Sequence, residues 1–124
     1  MATPADLWGE IAPSAVRTPV SILREQASLL GAKTKHIIVG QIDTRTSGKT
    51  FHHAFNLIVP ALDNYSYELF EISHGVGFYP VRVELKSSYG ELKNEEEFLE
   101  WLGQKLSSAE TKRLLGNLLA QAKS

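Results

Sequence analysis

The sequence contains no cysteine. That absence excludes disulfides, thiolate metal sites and a cysteine nucleophile, and it fits the cytoplasmic location expected for this chain. There is no apolar run long enough to cross a bilayer, and no basic segment followed by an apolar stretch of the kind that forms a signal peptide. A membrane partner is therefore not expected. Net charge is also scarce, with 13 Lys and Arg against 14 Asp and Glu. A nucleic-acid surface needs a broad positive excess, so nucleic acid is not an expected partner, although Lys33, Lys35, Arg45 and Lys49 make a small basic end.

What is present is ordinary for one globular unit: 124 residues, 43% of them apolar and 22% charged. Residues 1–124 are read as a single domain. Residues 1–17 form an N-terminal arm in which Thr3-Pro4 would cap a short helical turn carrying Leu7 and Trp8. From Lys35 to Lys86 the chain reads as four strands in a row with nothing helical between them. Residues 36–46 are rich in β-branched side chains. Ser47-Gly48 is a hairpin signal. Residues 50–59 alternate strictly, with Phe51, His53, Phe55, Leu57 and Val59 on one face. Residues 60–64 turn, residues 65–74 form the third strand, and Gly75–Gly77 turns again. Residues 78–86 form the fourth, where Pro80 favours an edge or a strand end.

The strand registers can be tested against each other. A turn at Ser47-Gly48 pairs Ile42 with His53 and Gly40 with Phe55. Pairing Phe55 with Phe70 places His53 opposite Ile72, and pairing Phe70 with Val81 places Ile72 opposite Tyr79. Together these gather Ile38, Ile42, Phe55, Leu57, Phe70, Val81, Val83 and Leu85 on one face, which a one-residue slip would scatter.

Helices flank this run. Thr18-Pro19 is an N-cap followed by a first-turn proline, Ile22, Leu23, Ala27 and Leu30 follow at helical spacing, and Gly31 reads as the stop. Asn94 to Glu97 resembles a capping box, and Phe98, Trp101, Leu102 and Leu106 make an apolar stripe. Ser107 to Glu110 reads as a second capping box that opens a last helix carrying Leu114, Leu115, Leu118 and Leu119. The expected fold is α+β: a four-stranded antiparallel meander with one N-terminal and two C-terminal helices, in the order α-β-β-β-β-α-α, with the helices on one face.

Several motifs invite a chemical reading and are set aside. Ser47-Gly48-Lys49-Thr50 looks like the end of a phosphate-binding loop, but Asp43 stands where the first glycine is needed and a strand follows instead of a helix. His52 and His53 are neighbours in a strand, point to opposite faces and cannot share one metal site. Asp43, His52 and Ser73 have the residue types of a hydrolase triad, but they sit in a row across a sheet without the sharp turn that presents a nucleophile. The glutamates from Glu91 to Glu100 read as a solvated helix face. Neither a cofactor nor a metal is expected, and no catalytic residue is assigned.

The remaining signal is the sheet face opposite the helices. The registers place Ile37, Val39, Ile58, Tyr65, Tyr67, Leu69 and Phe78 there among Asp43, His52, Asn56, Glu71 and Arg82. Tyrosine and aliphatic side chains rimmed by charge are the composition of an interface. The expected function is a small non-enzymatic interaction or regulatory module. It would bind a protein partner, or itself as a homodimer, through Val39, Asp43, His52, Ile58, Tyr65, Tyr67, Glu71 and Arg82. The alternative is a small-molecule-binding domain or small enzyme with a pocket between sheet and helices, using His53, Glu68 and His74.

Overall fold

A computed structural model describes residues 5–85 and 88–124. The order is α1 (Pro19–Lys33), β1 (Val39–Ser47), β2 (Thr50–Val59), β3 (Tyr65–His74), β4 (Val81–Leu85), β5 (Ser88–Leu92), α2 (Glu95–Leu106) and α3 (Ala109–Ala122), with a 3-10 turn at Pro60–Leu62. The strands pair in chain order as one antiparallel sheet. The α+β class and the meander hold, with five strands in place of four. The unexpected strand is β5, at the edge beside β4. Ser-Tyr-Gly-Glu-Leu has little strand propensity, and its position follows from pairing, with Val81 opposite Leu92 and Val83 opposite Gly90. Lys86, the side chain of Leu85, and Thr3 and Pro4 with the turn expected of them lie outside the described residues. Residues 5–17 form neither helix nor strand, and Trp8 is 81% exposed, so this segment covers neither sheet face.

The helix ends follow local chemistry. Thr18 caps α1 by accepting from the Ser21 amide at 3.2 Å, which satisfies one otherwise unpaired N–H. Gly31 does not stop this helix, which runs on to Lys33. A Cβ at Gly31 would sit 3.3 Å from His36 Nδ1, so the glycine makes room for that ring. Asn94 caps α2 through the Glu97 amide at 2.9 Å. The cap of α3 is Ser108, one residue later than expected, because Ser107 is occupied ending α2.

The strand pairings keep the expected faces while shifting. The β1–β2 turn is Gly48-Lys49, so Ile42 faces Phe55 and Gly40 faces Leu57. That is two residues from the expected register, and a shift of two preserves the faces. The β2–β3 pairing of Phe55 with Phe70 and His53 with Ile72 is as expected, and Ile72 pairs with Val83 in place of Tyr79. One core results. Ile38, just before β1, and Phe55, Leu57, Ile72, Val81 and Val83 from the sheet pack with Ile22 and Leu23 of α1, Phe98 and Leu102 of α2 and Leu118 of α3.

The contact between α1 and β1 is backbone-close. A Cβ built on Gly40 would lie 2.7 Å from the Ala27 Cβ and 3.3 Å from the Phe55 ring. Gly40→Ala is expected to lower the unfolding free energy by about 1–3 kcal/mol through overpacking. Urea denaturation checks this, and an unchanged midpoint would refute the close packing.

Candidate functional site

The helix-free face differs from expectation because of one extra residue in β3. Phe55 faces Phe70, but Asn56 faces Glu68, so Leu69 is a bulge. Beyond a bulge the alternation of the strand inverts. Tyr67 lies opposite Leu57 and Tyr65 opposite Val59, which puts both tyrosines on the helix-bearing side. Glu68 moves to the helix-free side opposite Asn56. Leu69 and Ile37 pack against the core, and Phe78 stands against His74 with ring centroids 6.1 Å apart. Of the interface set, Val39, Asp43, His52, Ile58, Glu71 and Arg82 remain on the helix-free face, where the apolar members are only Val39 and Ile58, paired across β1 and β2.

What that face carries is a polar network. Asp43 accepts from Gln41 at 2.9 Å and from Asn56. Arg45 donates to Glu71 at 3.0 Å, and His52 Nδ1 lies 3.5 Å from the same carboxylate. Arg82 and Glu91 approach to 3.5 Å. The Asp43, His52 and Ser73 row is not assembled. His52 does face Ser73, but Asp43 faces Ala54 and turns to Asn56.

On the helix-bearing side, the structure brings together two residues that the sequence placed at a pocket. His53 is buried because it alternates with Phe55, Leu57 and Val59. His74 is buried at the end of β3, and Phe51 is its cross-strand partner. His53 and His74 are therefore diagonal neighbours on one face, and their Nε2 atoms stand 2.9 Å apart. His53 Nδ1 is 2.8 Å from the Thr44 hydroxyl, and His74 Nδ1 is 2.7 Å from the Gly75 carbonyl.

These contacts fix the protons of the neutral pair. The Gly75 carbonyl only accepts, so His74 Nδ1–H donates and His74 Nε2 must accept. His53 Nε2–H then donates to it, which leaves His53 Nδ1 to accept from Thr44. Every ring nitrogen is satisfied. One added proton is also accommodated: His74 then donates from both nitrogens and His53 Nδ1–H donates to Thr44. Two added protons would set N–H against N–H. Burial first, and then the positive charge that His74, Arg24 and His52 would present, hold His53 well below the ordinary imidazole range, at about 4.

The pair floors a cavity of about 390 Å³. Val20 and Arg24 of α1, Phe51, Val76 and Phe78 complete its walls, and Thr44 lies open to it. Arg24 stands exposed on α1 and carries the cavity's fixed positive charge. Glu68, the third polar group expected here, is on the opposite face. Sequence reasoning missed Arg24, Thr44 and the Gly75–Phe78 segment. The expected β1–β2 register placed Ile42 opposite His53, whereas the true one brings Thr44 there. Among the described residues, no group of three or more His, Asp or Glu side chains converges as a metal site, and no helix is long and apolar enough to cross a membrane. No family model matches the chain, and no curated protein or solved structure matches it significantly.

The low affinity of His53 for protons has a thermodynamic consequence. Unfolded histidine takes a proton near pH 6.5, but folded His53 takes one only near pH 4. Between those values the unfolded state holds more protons, so this contribution is complete above pH 6.5 and is lost as pH falls toward 4. It is worth at most about 3 kcal/mol. The gap in unfolding free energy between the parent protein and His53→Gln should therefore shift across pH 6.5 to 4, measured by urea denaturation. A gap constant with pH would refute the assignment.

Proposed function

We propose that this protein is a small-molecule-binding domain whose site is the cavity between α1 and the sheet. The observation that carries this reading is the hydrogen-bonded His53–His74 pair at the floor of an accessible and mostly apolar cavity. A buried polar chain in a core is costly unless each member is satisfied, and here its Thr44 end is presented to the opening. The walls suit an aromatic or branched aliphatic group held between Phe51, Val76 and Phe78. Arg24 suits an anionic end, and Thr44, whose hydroxyl proton goes to His53, offers an oxygen that accepts. An apolar cavity with a few convergent polar groups is the usual form of such a site.

Binding is favoured over turnover. A nucleophile of the Thr–His type needs a base poised near neutrality, and His53, at about 4, is a weak one. The fitting ligand class is a small monocarboxylate with an aromatic or branched apolar body. Self-association is a second reading. It is favoured by the exposed apolar side chains of Leu7, Trp8, Ile11 and Val16.

Titration calorimetry with a panel of aromatic and branched aliphatic monocarboxylates tests the first reading. Saturable binding is expected, weakened about tenfold or more by Arg24→Gln, the worth of one charge-assisted hydrogen bond. Absence of saturation across the panel, or binding indifferent to both Arg24→Gln and Phe51→Ala, would overturn it.

A further inference from the structure

A second apolar cavity, of about 440 Å³, opens between α1 and α3 on the far side of the core from the histidine pair. Leu29 and Leu115 line its walls, Leu57 and Leu69 its floor, and Lys33 and Lys112 its rim. Leu29 remains 48% exposed, although α1 is otherwise well packed. Neither lysine is in an ion pair among the described residues.

The segment before α1 has the complementary character. Leu7, Trp8 and Ile11 are 91%, 81% and 75% exposed. Scattered apolar side chains on a surface need no explanation, but three within five residues form a patch. Asp6 and Glu10 alternate with them, and the Trp8 amide donates to Asp6 at 2.9 Å in a local turn. The chain thus carries both an apolar segment with two carboxylates and an apolar groove rimmed by two ammonium groups, and no residue of that segment lines the groove in a single copy.

We infer that the groove between α1 and α3 receives the Asp6–Ile11 segment of a second copy of this chain. Trp8 and Leu7 enter between Leu29 and Leu115, and Asp6 and Glu10 meet Lys33 and Lys112. The exchange is reciprocal, each segment entering the other copy's groove, which closes a two-fold dimer; one-way contacts would propagate and scatter as species larger than a dimer. This surface is separate from the cavity of His53 and His74, and neither proposal depends on the other.

Light scattering coupled to size exclusion, run over a dilution series, provides the test, with acrylamide quenching of Trp8 read as the difference between the parent protein and Trp8→Phe. The parent should dimerise with Trp8 shielded. Deletion of residues 1–12 should give a folded monomer. Lys33→Glu with Lys112→Glu should weaken the dimer about tenfold, and adding Asp6→Lys with Glu10→Lys should restore it. These substitutions fall on exposed positions, and circular dichroism verifies the fold. A monomer at every concentration, a dimer that survives the deletion, or a monomer in which Trp8 is shielded would each overturn the proposal. The last result would assign the groove to the chain's own segment.

Discussion

The period-two burial of β2 is the constraint from which most of this structure follows. Phe55, Leu57 and Val59 are removed from water on one face, and the same parity turns His53 to that face, where it is buried as well. A buried imidazole must have partners for both nitrogens. The antiparallel neighbours supply them, Thr44 from β1 and His74 from β3. The polar chain at the cavity floor is thus what the sheet register requires once a histidine occupies that position. The same alternation sends His52 to the opposite face, where it approaches Glu71, the carboxylate that Arg45 also pairs with.

The bulge at Leu69 is the second determinant. It lets β3 follow the twist of the sheet while its two halves obey opposite alternations. Below it, Phe70, Ile72 and His74 face the helices. Above it, Tyr65 and Tyr67 do so, at the rim of the core, with 44% and 39% exposure. The helix-free face thereby carries the network of Asp43, Asn56, Arg45, His52 and Glu71, with Val39, Ile58 and the exposed Tyr89 as its apolar members, while further exposed apolar surface lies on the helix side and in the segment before α1.

The sequence patterns were informative where physics leaves few choices. Strict alternation in residues 50–59 and the caps at Thr18 and Asn94 gave β2, α1 and α2 close to their observed limits, and pairing Phe55 with Phe70 already implied that His53 and His74 are diagonal neighbours. The bulge left no local mark, because Tyr-Glu-Leu-Phe-Glu suits either parity and the choice depends on what Leu57 and Trp101 pack against. β5 was hidden for a related reason: Gly90 and Glu91 are poor strand formers held by pairing to β4. Arg24 and Thr44 escaped notice because each is unremarkable in its own element. Only the crossing of α1 over the β1–β2 hairpin makes them neighbours.

The account stands most directly on the proton arrangement of the histidine pair. Two-bond nitrogen–proton correlation spectra of ¹⁵N-labelled protein report the tautomer and the titration of each ring. The structure predicts a neutral His53 protonated at Nε2 near pH 7 and a proton on His74 Nδ1 held by the Gly75 carbonyl, with His53 resisting protonation until about pH 4. A His53 ring that titrates near 6.5 as a free imidazole, or that carries its proton on Nδ1 at neutral pH, would contradict it.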